Sequence, residues 1–246
     1  MTPQEQDEHW LKFHRFQMRY ENIFTPKFNK AIQEQIKQYK ESGTVMAVTS
    51  TPIYSVLTQV YYEIPQIWAA RSTVGIRNQK ARAPIGFNQR IIELMKAYYG
   101  IDLLNDAEGI TDTFKEIIQT VLSDAAANGW GFDEVVKRIE FLNAKRARTI
   151  ASTETVGAAN AASNIAALET GLVMDKIWIS ARDNRVRPHH RTVNQQTVGM
   201  NELFTVGDSK MNFPGDKQGG ADECVNCRCT HAFIPKRDSN GRLIRN

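Results

Sequence analysis

Long apolar runs, cysteines and internal repeats are scarce or missing in this chain of 246 residues. No apolar stretch approaches the roughly 18 residues that span a bilayer, so we expect no membrane partner. The polar start MTPQEQDEHW lacks the apolar core of a signal peptide, which predicts synthesis in the cytosol with reduced thiols. All three cysteines lie within CVNCRCTH at 224–231, so a framework of several disulfides is excluded.

A surplus of charge is also missing from most of the chain. Residues 181–246 hold eleven of the 31 basic and seven of the 27 acidic residues, so residues 1–180 are neutral overall. Within ten residues of the basic part, four arginines accompany the single acid Asp183: Arg182, Arg185, Arg187 and Arg191. This cluster could contact phosphate or form salt bridges within the chain, and the sequence favours neither reading.

The first two thirds of the chain carry helical patterns. Residues 5–40 are polar with scattered aromatics, and we expect Pro26 to divide them into two helices. Apolar residues recur at three- and four-residue steps between residues 53 and 68, which predicts a helix that Pro65 should kink.

Three further features complete the helical prediction. APIG at 83–86 predicts a loop before a helix from about residue 88 to 99. Thr113 and Glu116 have the spacing of a capping box, which predicts a helix start there. An alanine-rich stretch predicts a long helix from about residue 144 to 169.

The pattern changes after Gly171, where short alternating segments predict strands. The strand candidates are KIWIS at 176–180, TV at 197–198, LFTV at 203–206 and CTHAFI at 229–234. The tail KRDSNGRLIRN is expected to be frayed or bound to a partner. The chain is therefore predicted to be α+β, with a mostly helical N-terminal region and a small C-terminal α+β domain that has a short sheet.

Several motifs follow one another in this second part of the chain. They are RARTIASTE at 146–154, Trp178, DNRVRPHH at 183–190, QTV at 196–198, Phe204, PGD at 214–216 and NCRC at 226–229. In this order and spacing, the sequence resembles the phage Mu F-like minor head proteins, also called phage head morphogenesis proteins. The positions that carry the resemblance are Arg146, Thr153, Glu154, Trp178, Asp183, Arg185, Arg187, Pro188, His190, Gln196, Pro214, Gly215, Asp216, Asn226, Cys227, Arg228 and Cys229.

One turn departs from the family pattern. Asn194 and Gln195 stand where the family has Asp-Gly. Glycine tolerates a positive φ that glutamine does not, so we expect altered turn geometry at this point.

The resemblance implies a minor head protein of a tailed bacteriophage that associates with the portal vertex. It implies a structural role in head assembly, DNA packaging or DNA delivery, without enzymatic activity. Residues 1–142 are then a helical docking region, residues 143–234 the Mu F-like domain and residues 235–246 a basic tail. The implied partners are the portal protein, the major capsid or scaffold protein, and packaged DNA through non-specific phosphate contacts. The implied location is the virion, inside the head near the portal vertex, after assembly in the host cytoplasm.

An enzymatic alternative comes from the same residues. A nuclease or toxin could use a base, a phosphate clamp and an acid. The candidates for this set are Asp183, Arg187 and His190, with Glu154 from the long helix. The family domain also occurs beside toxin domains, so the alternative stays open. The competing interpretation is a polar network in which Asp183 pairs with an arginine and His190 bonds to NCRC.

A zinc-stabilised interaction module is a further alternative. CVNCRCTH has the pattern C-x2-C-x-C-x-H, but four ligands this close in sequence would be crowded. A better set combines His190 or His189 with Cys227 and Cys229, and a fourth ligand from Cys224 or Asp183. A disulfide between Cys224 and Cys227 would require an oxidising medium. We expect no cofactor, with hydrogen bonds alone around His190, and zinc remains the alternative.

Overall fold

The computed structural model describes residues 1–72, 87–100 and 102–245. Its long helices are α1 (Pro3–Ser42), α2 (Thr51–Ser72), α3 (Phe87–Tyr99), α4 (Asp102–Asn128), α5 (Phe132–Asn143) and α6 (Arg146–Leu168). Short elements follow: β1 (Met174–Ile179), α7 (Pro188–Thr192), β2 (Thr197–Gly199), β3 (Phe204–Val206), β4 (Ser209–Met211), α8 (Gly220–Cys224) and β5 (Thr230–Pro235). The α+β class predicted from the sequence is confirmed. Within the described residues, no helix combines the length and apolar character required to cross a membrane.

The chain forms two compact units, and each contains separate stretches of sequence. The helical unit comprises Glu21–Val60 and Tyr99–Ala151. The sheet unit comprises Met1–Tyr20, Tyr61–Tyr98 and Ser152–Asn246. The predicted domain boundaries at residues 143 and 235 stay predictions.

The helical unit is built around the apolar stripe of α4. Its buried residues recur at helical spacing: Leu103, Ala107, Thr111, Phe114, Ile118, Val121 and Ala125. The stripe includes one polar contact, in which the buried Gln35 Nε2 donates to Thr111 Oγ1 at 2.8 Å. Because the Thr111 hydroxyl itself donates to Ala107 O, this polar group inside the core is satisfied.

The prediction that Pro26 divides the first helix is wrong. Pro26 lies inside α1, which continues for 40 residues. An interior proline costs a helix about 3 kcal/mol. The rings of Phe24 and Phe28 on either side are fully buried, and each such burial is worth about 1.5–3 kcal/mol. Core packing therefore outweighs the local cost of the proline.

The predicted capping box is also wrong. Thr113 lies in the middle of α4, where its hydroxyl donates to Gly109 O at 3.0 Å. The helix begins at Asp102 because the buried stripe extends upstream through Leu103 and Ala107. The predicted helix from residue 88 to 99 is confirmed as α3. The predicted loop at 83–86 lies outside the described residues, and the kink at Pro65, inside α2, stays a prediction.

The sheet unit contains an antiparallel sheet of order β2-β1-β5 and the separate hairpin β3-β4. Side chains of β1 alternate between two faces. Ile177 and Ile179 pack with Trp10, which comes from the N-terminal end of α1. Trp178 faces the other way, into a core with the hairpin and all three cysteines. The sheet is therefore covered on both faces, once by sequence-distant α1.

The prediction that the tail is frayed is wrong for its described residues, and binding of the tail to a partner stays a prediction. Val173 N–H donates to Ile244 O at 3.0 Å, and Lys236 N–H donates to Val173 O at 2.9 Å. A bridge also pairs Leu172 with Arg245. The tail thus adds backbone pairing beside the segment that leaves α6.

The turn between α7 and β2 holds the departure from the family pattern. Gln195 has φ 69°, in the left-handed region where a non-glycine residue is strained. The turn is held by Gln195 N–H donating to Trp178 O at 2.9 Å and by Trp178 N–H donating to Gln196 O at 3.0 Å. Gln195 therefore stands in a conformation that glycine adopts more freely, and a change of this turn relative to the family stays a prediction.

We predict that Gln195→Gly stabilises the protein by about 0.5–1 kcal/mol, because relief of backbone strain exceeds the entropy that glycine adds to the unfolded chain. Urea unfolding followed by circular dichroism measures the change. Gln195→Ala is the matched control, since it removes the exposed side chain and keeps the strain. Equal effects of the two substitutions would contradict the explanation.

Candidate functional site

The residues that carry the family resemblance, called signature residues below, lie around α6. The backbone of other segments can come close to this helix. A Cβ on Gly157 would lie 3.3 Å from Gly215 O, and one on Gly215 would lie 3.2 Å from Gly157 Cα. Gly215 also has φ +84°, which other residues rarely adopt. The PGD motif at 214–216 therefore requires its glycine for two reasons, contact and conformation.

Asn160 on α6 connects two of the signature segments. Its side chain is fully buried. The Nδ2 group donates to Pro214 O at 2.9 Å and to Cys229 O at 3.0 Å. Its Oδ1 accepts from the Thr230 hydroxyl at 2.9 Å. One amide therefore holds both the PGD loop and the end of NCRC against the helix.

Glu154 takes part in a buried polar contact on the same helix. Its Oε2 accepts from the Tyr61 hydroxyl at 2.9 Å and from Lys217 Nζ at 3.2 Å. The residue is 6% exposed. This carboxylate is therefore occupied by structural partners.

Asp216 organises the PGD loop. Its carboxylate accepts from Asn212 N–H at 2.7 Å and from Gln218 N–H at 3.2 Å. Below the loop, Lys176 of β1 donates from Nζ to Asn212 O at 2.9 Å. Burial lowers the pKa of Lys176 to about 8.

The NCRC motif is fixed by its asparagine and its arginine. Asn226 has φ 57°, which asparagine tolerates better than most residues, and its N–H donates to Thr153 Oγ1 at 3.0 Å. Arg228 makes a bidentate pair with Asp183, at 2.9 and 3.0 Å. Hydrogen bonding from Arg228 lowers the pKa of Asp183. The pairing of Asp183 with an arginine agrees with the network interpretation.

The two cysteines of NCRC meet His190 in the core. His190 Nδ1 lies 3.6 Å from Cys227 Sγ and 3.4 Å from Cys229 Sγ. All three residues are about 2% exposed. Cys224 takes no part, because its thiol donates to Asp216 O at 3.0 Å. The network interpretation predicted the contact between His190 and NCRC.

Glu223 of α8 anchors the other side of the His190 ring. His190 Nε2 lies 2.8 Å from Glu223 Oε2, and the exposed His189 reaches Oε1 through Nδ1 at 2.9 Å. Burial lowers the pKa of His190, but the bonds and negative charge of Cys227 and Glu223 outweigh it, so the pKa is raised.

The pKa values of the Cys227 and Cys229 thiols are shifted in opposite directions. The hydrogen bond with Cys229 holds the pKa of Cys227 well below its ordinary value. Burial and the neighbouring Cys227 raise the pKa of Cys229 well above it. Burial also raises the pKa of the separate Cys224 to about 12. All three cysteines are free.

The proposed nuclease set does not share a common contact among the described residues. Asp183 is bonded to Arg228, and His190 to Glu223 and the cysteines. Arg187 donates to Val225 O, while Glu154 binds Tyr61 and Lys217. Each member has its own structural partners.

The four arginines of the suggested phosphate cluster also have partners in the chain. Arg182 pairs with Asp7 at 2.7 Å, and Arg185 with Asp183 at 3.6 Å. Arg187 and Arg191 donate to backbone carbonyls. The Arg185 side chain is nevertheless 70% exposed, so phosphate contact stays a prediction.

Sequence reasoning missed Asn160 and Glu223. Asn160 stands in the middle of an alanine-rich helix, where a polar residue that disfavours helices is a usable signal. Glu223 gave no signal, because it resembles any acid of a short loop until the fold places it beside two histidines.

Comparison with known proteins agrees with the motif assignment. Residues 116–232 match the family described as Phage Mu protein F like protein. The resemblance drawn from the motifs is therefore confirmed over these residues.

Two curated relatives extend this result. The chain is 29% identical over 121 residues to the Uncharacterized protein YqbB of Bacillus subtilis (strain 168), covering 46% of this chain. It is 28% identical over 125 residues to the Minor head protein GP7 of Bacillus phage SPP1, covering 48% of this chain. The aligned residues span 40% of the length of each relative. No solved structure matches the chain at the significance applied to these comparisons.

We predict that Asn160→Ala destabilises the protein by about 3 kcal/mol, because it leaves buried carbonyl groups without a donor. Asn164→Ala on the same helix is the matched control. Within the part of the chain that the structure describes, the Oδ1 of Asn164 has no hydrogen-bond partner, so a loss of about 1 kcal/mol or less is expected. Denaturant unfolding measures both, and equal losses would contradict the role of Asn160.

Because the pKa of Lys176 is lowered in the folded state, we predict that the protein becomes more stable as the pH rises. In the folded state its pKa is about 8, against 10.5 for the ordinary group. Between these values the unfolded chain binds a proton that the folded chain lacks, so the free energy of unfolding increases as pH rises. At about 1.36 kcal/mol per pKa unit the increase is on the order of 3 kcal/mol. Lys176→Met should abolish the increase in unfolding experiments from pH 7.5 to 10.5, and an unchanged slope would contradict the assignment.

Proposed function

We propose that this chain is a minor head protein of a tailed bacteriophage, with a structural role in head morphogenesis. The observation that carries the proposal is the match of residues 116–232 to the Phage Mu protein F like family. The likeness to the Minor head protein GP7 of Bacillus phage SPP1 supports it further.

The contacts of the signature residues support a role without catalysis. Inside the sheet unit, Asp216 accepts from the backbone of Asn212. The Asn226 N–H donates to the Thr153 hydroxyl, and Arg228 pairs with Asp183. His190 is 2% exposed, and its Nε2 lies 2.8 Å from Glu223 Oε2, so the ring is held by contacts inside the fold. The motif is therefore explained as a framework that fixes loops on a thin core.

The proposal also covers the partners of the protein and its location in the virion. We place the protein inside the head near the portal vertex, with the portal protein as its partner and the major capsid or scaffold protein as further contacts. The protein contacts DNA through its phosphates alone, by means of exposed arginines such as Arg185. The role is in head assembly, DNA packaging or DNA delivery, after assembly in the host cytoplasm.

Large apolar side chains exposed on the helical unit suggest how docking can be tested. Phe141 at the end of α5 is 80% exposed and its neighbour Leu142 is 49% exposed, and adjoining exposed apolar side chains are a candidate site for a protein contact. Deleting the N-terminal 140 residues would be a poor test, because Trp10 packs on the sheet. A point substitution leaves the fold intact.

We predict that Phe141→Asp lowers incorporation of the full chain into phage heads by tenfold or more, while the neighbouring exposed Glu140→Gln has no effect. Quantitative mass spectrometry of purified heads, made by a phage that lacks its own copy of the gene, measures the incorporated chain. Heads that form and fill normally without the chain would contradict the proposed function. Normal incorporation of the Phe141→Asp variant would contradict docking through α5, but it would not contradict the proposed function.

A further inference from the structure

Three potential metal-ligand atoms lie together in the core of the sheet unit. His190 Nδ1, Cys227 Sγ and Cys229 Sγ are all within 4.8 Å of one another. A tetrahedral zinc ion with ordinary Zn–S and Zn–N bonds places nitrogen and sulfur about 3.6 Å apart. The observed separations of 3.6 and 3.4 Å between Nδ1 and the two sulfurs match that edge.

The imidazole is oriented as a metal ligand requires. Its Nε2 is directed at Glu223 Oε2, 2.8 Å away, which leaves Nδ1 facing the two sulfurs. A carboxylate behind a histidine is the usual outer support of a metal site, since it fixes the ring and raises its basicity. Glu223 is itself held by His189 at 2.9 Å.

Two sulfurs lie within 3.6 Å of one Nδ1 atom, which can hydrogen-bond to only one of them at a time. Hydrogen bonds can join the group only as a chain, in which Cys227 also bonds to Cys229. A divalent cation would bind both sulfurs at once. Two thiolates, a neutral imidazole and Zn²⁺ also sum to zero charge, which burial favours.

We propose that His190, Cys227 and Cys229 form a zinc site that ties α7 to the NCRC segment. Imidazole and paired thiolates favour Zn²⁺ among the divalent ions of the cell. Cys224 is excluded as a ligand because its thiol is directed at Asp216 O, 3.0 Å away. Among the described residues, His190, Cys227 and Cys229 form the group that could hold the ion, and the fourth ligand is not assigned. The proposal does not rest on the function proposed above.

Cobalt titration of the full, reduced chain after removal of metal by a chelator tests the site. Co²⁺ is expected to give thiolate-to-cobalt charge-transfer absorption that saturates at one equivalent, and Zn²⁺ should displace it. Absence of that absorption in the unmodified chain would overturn the proposal, whatever the variants do.

Variants locate the ligands. Cys227→Ser and Cys229→Ser should each weaken Zn²⁺ binding by at least tenfold in competition with a coloured chelator. Cys224→Ser, the matched control from the same segment, should bind as the unmodified chain does. Glu223→Gln should weaken binding by about 10–100-fold while keeping the absorption spectrum, as expected for a positioning residue. Equal losses in Cys224→Ser and Cys227→Ser would refute the assignment.

Discussion

The sheet unit depends on one buried amide. Asn160 donates to the carbonyl groups of Pro214 and Cys229 and accepts from Thr230, so two loops meet the same helix at one side chain. The contact is possible because Gly157 and Gly215 let backbone approach backbone. A three-stranded sheet buries little apolar surface, and polar contacts of this kind supply the specificity that a larger core would supply by shape.

The arrangement around β1 explains why the signature motifs recur together. Trp178 packs edge-on against His190 and Phe204, with ring centroids 5.5 and 5.3 Å apart. The same core contains the cysteines, so the tryptophan, DNRVRPHH and NCRC pack together in one place. Residues that are distant in sequence are therefore constrained as a set. A substitution at one of them is expected to couple to the others.

Much of this fold could be predicted from sequence, and the failures have physical causes. Alanine content identified α6, which is buried along most of its length, and alternating segments identified the strands β1, β2, β3 and β5. The proline rule failed at Pro26 and the capping motif at Thr113, where burial of Phe24, Phe28 and the stripe of α4 outweighs these local signals. The contact of His190 with NCRC was predictable from the motif pairing. The role of Glu223 was not predictable, because it exists only once the fold has brought distant segments together, and Asn160 offered only its polar character within an alanine-rich helix.

The N-terminal end of α1 limits how the chain can be divided. Trp10 packs with Ile177 and Ile179, its indole donates to Arg228 O at 3.1 Å, and His9 contacts His231 O at 3.1 Å. A fragment that begins at residue 143 would expose the sheet face that Trp10 covers and would lose the partner of a carbonyl group in NCRC. Exposed apolar surface on a short sheet favours association with other chains. The first turns of α1 therefore act as part of the C-terminal fold, although no motif marks them.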